Sequence, residues 1–209
     1  MPESILTLIS ILSTVSLALN AIVQPIRLVL SQSARMDICR ISLGSGGYIE
    51  ESLIVTAPPS FSISARTTMN VVQSMINGAE RNILITGYSL SSYFSELVDT
   101  IVLKSQRGVF VKFFVNDIDK QPGFDKILRY KGRFLKIYNY HQEDDKMAAL
   151  HAKVISVDQQ QTLITSANLS YHGQQGNIEL GTLIESKQIA KQIDDVFTKL
   201  IFSKIFSEV

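Results

Sequence analysis

The sequence predicts an α/β fold in which a mixed β-sheet is covered by helices on both faces. Short runs of Val, Ile and Leu alternate along the chain with segments whose apolar residues recur every three to four positions. Continuously apolar runs are typical of strands buried on both faces, and periodic segments are typical of the helices that cover them. An apolar fraction of 45% with 19% charged residues indicates a globular chain, and 209 residues suffice for one domain with a small appended segment.

The predicted elements follow one another in strand–helix alternation from residue 52 onward. Pro58-Pro59 ends the first strand, and Gly108 follows the second helix at a position where glycine commonly terminates helices. The predicted strands are 52–57, 82–86, 109–115, 133–138, 150–157, 162–166 and 178–184. The predicted helices are 65–79, 91–106 and 186–202, with a helical or irregular piece at 119–130.

Residues 1–47 are predicted to form an N-terminal helical segment that ends in the Gly/Ser-rich loop 42–48, ahead of a domain at 48–209. Residues 4–26 carry no charged side chain and are long enough to cross a bilayer, yet polar residues interrupt them and the apolar ones form one helical stripe. Glu3 is the only charged side chain before Arg27, so the basic start of a secretory signal is missing. A packed helix, a membrane anchor and a cleaved signal stay open. The expected location is the cytoplasm, or a membrane surface if the segment is an anchor.

Charge and cysteine content exclude several classes of protein. The formal net charge of +1 gives the whole chain no attraction to nucleic acid, so any phosphate contact depends on local patches. One such patch, residues 126–136, holds five positive side chains and is either a solvated surface or a phosphate-contact surface. The single cysteine, Cys39, excludes an intrachain disulfide and a CxxC metal cage, which fits a reducing compartment.

Polar residues gather where three predicted strands end or begin. His151 and Lys153 are two residues apart in one strand, so their side chains project to the same face. The next strand ends in Ser166-Ala-Asn168, and the third begins at Asn177-Ile-Glu179. If these strands are neighbours, one sheet edge presents all of these polar side chains to a single point.

Such a set suits the chemistry of a phosphate diester. The neutral imidazole of His151 is a competent nucleophile toward phosphorus, and a covalent intermediate divides one difficult displacement into two easier ones. Lys153 supplies a positive charge, and Ser166 and Asn168 supply neutral donors, for the phosphate oxygens. Glu179 is placed to hold the second ring nitrogen of the histidine. We expect no metal or other cofactor, because these groups can carry the phosphate charge themselves.

Three further polar residues have more than one interpretation. Asp158 precedes the turn Gln159-Gln-Gln161, and a framework role is favoured over a catalytic one, which stays open. His141 is expected to pack or cap a strand end. His172 lies in a glycine-containing stretch and either lines the site or belongs to a surface loop.

The spacing from His151 onward resembles the HKD motif of the phospholipase D superfamily: His-x-Lys, four residues, Asp, six residues, Thr-Ser-x-Asn. The resemblance implies a phospholipase D-like catalytic unit in which His151 is the nucleophile. Its implied phosphate-binding and orienting residues are Lys153, Ser166, Asn168 and Glu179, with Asp158 also in the motif. Asn177, Tyr88 and Ser89 are expected to border the cleft. The superfamily usually has glycine where this chain has Thr165, which predicts a tighter phosphate pocket or an altered backbone angle.

The resemblance also implies a homodimer. Superfamily sites pair two HKD motifs, and no histidine precedes His141, so one chain cannot supply both. A single motif is similar to the small nuclease branch of the superfamily.

Looser patterns at 56–58, 65–68, 85–89 and 177–181 resemble the phospholipase D-like subunit of the DISARM antiphage system. The expected function is therefore metal-independent nuclease action on DNA or RNA, alongside other defence subunits. The alternatives are a lipid phosphodiesterase and a weakly active nucleic-acid-binding scaffold subunit.

Overall fold

The computed structural model describes residues 39–43, 47–60, 65–87, 94–121, 124–140 and 148–209, with side chains from Glu50 onward. These residues belong to one compact unit, Cys39–Val209. The predicted N-terminal helix, Tyr88, Ser89 and His141 lie outside the described residues. Among the helices that the structure does describe, none combines the length and apolar character needed to cross a bilayer.

The centre of the fold is a ten-stranded mixed sheet with the order β1-β2-β9-β8-β7-β4-β5-β6-β10, and β3 pairs with β2 outside this path. The strands are β1 (Cys39–Leu43), β2 (Gly47–Thr56), β3 (Arg66–Thr67), β4 (Asn82–Gly87), β5 (Phe110–Asn116), β6 (Leu135–Tyr140), β7 (Val154–Val157), β8 (Gln161–Thr165), β9 (Glu179–Glu185) and β10 (Ser207–Glu208).

Strand directions bring particular chain segments to one edge of this sheet. Strands β4, β5 and β6 are parallel, whereas β7 is antiparallel to β4, β8 to β7 and β9 to β8. The C-terminal ends of β4, β5 and β8 therefore lie beside the N-terminal ends of β7 and β9. We call this the upper edge and the opposite one the lower edge.

Helices cover both faces of the sheet, which confirms the predicted α/β class. They are α1 (Thr68–Gly78), α2 (Ser95–Gln106), α3 (Asp125–Leu128) and α4 (Lys187–Phe202), with a 3-10 turn at Ile118–Lys120 and a π-helical turn at His172–Gly176. Helices α1, α2 and α3 pack on one face over a core that includes Ile85 and Phe113. Helix α4 packs on the other face, where Phe197 meets Phe114 at a ring-centroid distance of 4.5 Å.

Some local expectations differ from the structure. Within the predicted loop 42–48, residues 42–43 and 47–48 belong to strands, since Ser42 pairs with Tyr48 and Leu43 with Gly47. Its Gly/Ser composition concealed the pairing, because a ladder of backbone hydrogen bonds needs no particular side chains. The predicted domain boundary after residue 47 therefore falls inside a hairpin. The short strand β10 was also missed, because two residues at a chain end carry no readable alternation.

The C-terminal part of the basic patch at 126–136 lies away from the upper edge. Residues 129–134 lead into the N-terminal end of β6, which is at the lower edge because β6 is parallel to β4 and β5. Within the patch, Lys126 forms an ion pair with Asp99, and Lys136 with Glu208 at 2.5 Å. This placement favours the solvated-surface interpretation of the patch.

Candidate active site

His151 and Lys153 meet at the upper edge of the sheet. The Lys153 ammonium lies 3.2 Å from Nδ1 and 3.3 Å from Nε2 of His151, and it donates a hydrogen bond of 2.9 Å to the backbone carbonyl of His151. An ammonium can only donate, so a ring nitrogen accepts from it only when that nitrogen carries no proton. The His151 side chain is exposed and the lysine is half-buried. The pair therefore places a cation beside a solvent-accessible imidazole.

On the side facing β4, the backbone of this pair is held by a side chain rather than by a strand ladder. The prediction that a strand covers 150–157 is wrong in its first half, since β7 begins at Val154. The hydroxyl of Thr86, at the end of β4, donates to the Ala152 carbonyl at 2.6 Å and accepts from the Val154 amide at 2.8 Å. The hydroxyl of Thr86 takes the place of a strand partner.

A second buried side chain holds the start of the same segment. Asn116, at the end of β5, accepts the Leu150 amide on its Oδ1 at 3.0 Å. Thr86 and Asn116 are 2% and 7% exposed, so both hydrogen bonds are shielded from water. Sequence reasoning missed these two positioning residues. The available signal was a polar residue directly after the apolar runs 83–85 and 113–115.

Ser166 and Glu179 join the cluster from β8 and β9. The Ser166 hydroxyl donates to Glu179 Oε2 and accepts the Leu180 amide at 3.2 Å. The other carboxylate oxygen of Glu179 accepts from Asn177 Nδ2 at 3.0 Å. The antiparallel β8–β9 pairing brings these residues together, because one strand ends where the other begins. The structure thus joins Ser166, Asn177 and Glu179 in one hydrogen-bonded group at the upper edge.

The electrostatics of the cluster centre on Lys153. Partial burial lowers the pKa of its ammonium below the usual 10.5, and the carboxylate of Glu179 opposes this shift. The opposing effect places the two groups within electrostatic reach of each other. Burial disfavours the charged form of a lysine, whereas a nearby anion favours it. An ammonium that is incompletely solvated gains more from an incoming phosphate than one in bulk water.

The backbone of Asn168 is held in place by Gln174 and packs closely against Gly173. Its carbonyl accepts from Gln174 Nε2 at 3.0 Å, and a Cβ at Gly173 would overlap that carbonyl and lie 2.6 Å from the Asn168 nitrogen. The Asn168 side-chain Oδ1 is buried and has no hydrogen-bond partner among the described residues. Assignment of amide oxygen and nitrogen follows the hydrogen-bond network, so a bound phosphate would decide the orientation of this amide.

The structure places Asp158 away from this cluster, which favours the framework role over the catalytic one. Asp158 follows the opposite end of β7, at the lower edge. Its carboxylate accepts the backbone amides of Glu80 at 2.9 Å, Arg81 at 2.7 Å and Asn82 at 2.9 Å. Five residues of extended chain between Lys153 and Asp158 correspond to about 16 Å. Asp158 therefore ties the lower edge together.

His172 lies in the π-helical turn that follows Asn168. Its ring is exposed and packs edge-on against Tyr171, with centroids 5.6 Å apart. Its carbonyl accepts the Asn177 amide at 2.7 Å, which helps to set the entry into β9. These contacts favour a surface-turn role for the histidine. Across the described part of the chain, no three His, Cys, Asp or Glu side chains gather as a metal site would require.

A family model described as "Cardiolipin synthase, PLD-like domain" matches residues 72–201. The chain is also 35% identical over 161 residues to the DISARM protein DrmC of Bacillus paralicheniformis. That alignment covers 75% of this chain and 65% of the relative, so the chain spans less than two thirds of the relative's length.

Solved structures share the fold at low sequence identity. Nuc from Salmonella typhimurium, a phospholipase D family member, matches with a TM-score of 0.60 at 19% identity, covering 77% of this chain and 99% of Nuc. NucT from Helicobacter pylori matches with a TM-score of 0.60 at 18% identity, covering 74% and 97%. A phosphatidylserine synthase from Haemophilus influenzae matches with a TM-score of 0.57 at 18% identity, covering 81% and 43%. Because the family model spans more than half of the sequence and the fold agrees, the chain belongs to the PLD-like domain family.

Proposed function

We propose that the protein is a metal-independent phosphodiesterase that cleaves DNA or RNA through a covalent phosphohistidine intermediate. The observation that carries this proposal is the cluster at the upper edge, where an exposed imidazole, an ammonium, a hydroxyl and a carboxylate belong to His151, Lys153, Ser166 and Glu179. The chemical complement is that of nucleophilic attack on a phosphate diester with fixed donors for the developing charge.

In the first step a ring nitrogen of His151 attacks phosphorus. A P–N bond forms, the P–O bond to the leaving group breaks, and a second imidazole gives its proton to the departing oxygen. Lys153 donates to the non-bridging oxygens, and the Ser166 hydroxyl turns its proton from Glu179 to one of them. In the second step the second imidazole, which gave up its proton in the first step, takes a proton from water. The oxygen of this water attacks phosphorus, and the P–N bond to His151 breaks.

Glu179 has a supporting role in both steps. We propose that it orients His151 and stabilises the positive charge that the ring acquires on attack. Its electrostatic influence on Lys153 supports a place beside the reacting groups. In the free subunit its oxygens accept from Ser166 and Asn177, so these two donors keep the carboxylate in a fixed position.

The second imidazole comes from a second copy of the chain, with two His151 rings facing one cleft across a two-fold axis. Mixing tests this arrangement. When wild-type subunits are co-refolded with an equal amount of His151→Ala subunits, a composite site requires both histidines and activity falls to about one quarter. Independent monomers would fall to about one half. Only monomers in sedimentation at micromolar concentration would likewise contradict the composite site.

Nucleic acid is the proposed substrate and antiphage defence the proposed setting. The DISARM relative supports the setting and a partnership with other defence subunits, and the fold shared with Nuc and NucT supports the substrate. Lipid is the second candidate. The family description and the phosphatidylserine synthase with the same fold favour it.

The deciding experiment is cleavage in the presence of EDTA. Single-stranded DNA, plasmid DNA, RNA and phosphatidylcholine vesicles are each incubated with wild-type protein and with the His151→Ala variant. We expect cleavage of a nucleic acid by wild type alone. Cleavage of the vesicles alone would select the lipid function, and a requirement for added magnesium would contradict the mechanism. Equal behaviour of both proteins in every assay and in phage protection would instead support the scaffold interpretation.

A further inference from the structure

We propose that Thr165 is a positioning residue whose hydroxyl locks the turn carrying Ser166 and Asn168, so that both face the phosphate in a fixed geometry. This inference rests on the proposed phosphodiesterase function. It concerns the position where the superfamily usually has glycine. At that position the Thr165 backbone has no positive φ, since the non-glycine residues with positive φ in the described chain are Asp117, Asp158, Gln159 and Lys204. A threonine therefore fits here without backbone strain.

The hydroxyl of Thr165 bridges the two sides of the turn. It accepts the Ala167 amide at 3.1 Å and donates to the Leu180 carbonyl at 3.3 Å. The first bond closes a local turn of the kind that Ser and Thr form with the backbone two residues on. The second bond joins that turn to β9. The Leu180 carbonyl also accepts the Ser166 amide at 2.9 Å, so this one oxygen accepts hydrogen bonds from both Thr165 and Ser166.

Thr165 also touches the segment that carries the lysine. Its backbone amide donates to the Lys153 carbonyl at 3.1 Å. This single residue therefore contacts the backbone of all three chain segments that supply the cluster: the entry to β7, the turn after β8 and the start of β9. A glycine could retain the amide contact, but it would lack the two bonds of the hydroxyl.

Gly181 provides the space in which this lock forms. It pairs with Thr165 across β8 and β9. A Cβ at Gly181 would lie 2.8 Å from the Thr165 Cβ and 2.9 Å from its Oγ1, distances that real side chains do not tolerate. A Cβ there would also lie 2.8 Å from the Ile164 carbonyl, which is backbone and cannot step aside. The chain thus places threonine and glycine as a matched pair across the two strands.

The test compares Thr165→Val, which keeps the shape but removes the hydroxyl, with Thr165→Ser, which keeps the hydroxyl. Because misplacement of reacting groups by about 1 Å lowers rates by about 100-fold, we expect Thr165→Val to lower kcat by about 10- to 100-fold with little change in KM. Thr165→Ser should stay within about threefold of wild type. Gly181→Ala, which must shift the β8–β9 backbone as well as the hydroxyl, should lower kcat at least as much as Thr165→Val.

Amide hydrogen exchange tests the lock independently of activity. The Ala167 amide should exchange faster in Thr165→Val than in wild type or Thr165→Ser, because its acceptor is gone. Unchanged Ala167 exchange in Thr165→Val would overturn the lock, and unchanged kcat in an active wild-type background would overturn its positioning role. If wild type and His151→Ala are both inactive, the proposed function fails on its own, and the exchange measurement still decides the lock.

Discussion

The two ends of β7 carry polar residues from one short stretch of sequence and use them in opposite ways. At the upper end, His151 and Lys153 leave their functional groups accessible, and a buried hydroxyl from Thr86 holds their backbone. At the lower end, the Asp158 carboxylate is itself the holding group, and its oxygens accept the backbone amides of residues 80–82. One end leaves its side chains accessible to solvent, and the other uses its side chain to hold the backbone of a neighbouring segment.

This contrast shows that neighbouring motif residues need not share a role. A strand carries its two ends to opposite edges of the sheet, so a few intervening residues are enough to move a carboxylate about 16 Å from the lysine. The accessible end is positioned by buried side chains of neighbouring strands, Thr86 on β4 and Asn116 on β5. The predictions below test each end separately.

The largest expected effect is on catalysis at the upper end. His151→Asn should lower kcat by roughly 10⁴-fold or more, because the nucleophile of a covalent mechanism is removed. The exposed side chain contributes little to packing, so the melting temperature should stay within about 2 °C. Steady-state cleavage in EDTA and a thermal melt measure the two quantities. Cleavage by the variant at a tenth of the wild-type rate would remove His151 from the chemistry.

The next effect concerns the support beneath this end. Thr86→Val keeps the shape of the side chain but leaves the Val154 amide without its acceptor, and we expect kcat to fall by about 10- to 100-fold. The free energy of unfolding should decrease by about 1–3 kcal/mol, because a buried donor is left unsatisfied. Single-turnover cleavage and urea unfolding provide the measurements. Thr86→Ser is the matched control, and it should recover most of both quantities.

A smaller effect, on stability alone, is expected at the lower end. Asp158→Ala removes the acceptor of three backbone amides and should lower the free energy of unfolding by about 2 kcal/mol. The rate per folded molecule should stay within about twofold, since the carboxylate lies far from the reacting groups. Urea unfolding and cleavage at low temperature separate these outcomes.

A control addresses the backbone at this position. Asp158 has a φ of 55°, a left-handed conformation that glycine adopts freely. Asp158→Gly therefore removes the carboxylate without backbone strain, and it should be destabilised less than Asp158→Ala. A large loss of kcat in both variants, with folding intact, would return Asp158 to the catalytic machinery.

The sequence predicted the upper edge better than the framework that holds it. The spacing of His151, Lys153, Ser166 and Glu179 predicted a cluster on the condition that their strands are neighbours, and the β7–β8 and β8–β9 pairings meet that condition. Thr86 and Asn116 could not be identified in the same way. Their role depends on which strands are neighbours, and strand order is a tertiary property that no local pattern contains. The start of β7 was mispredicted for the same reason. The Thr86 side chain, rather than the backbone of β4, bonds the residues around the start of this strand.

The smallest expected effect is a shift in pH dependence at Lys153. Its folded-state pKa is lowered below the usual 10.5 by burial. Charging the buried group therefore destabilises the folded state below that lowered pKa, and this penalty is relieved as pH rises from the lowered pKa toward 10.5. Since phosphate binding needs the ammonium, the alkaline limb of kcat/KM should also fall below 10.5. In the activity that Lys153→Arg retains, the fall of kcat/KM at alkaline pH should be absent, because arginine does not titrate in that range. A limb that persists unchanged in Lys153→Arg would assign the titration to another group.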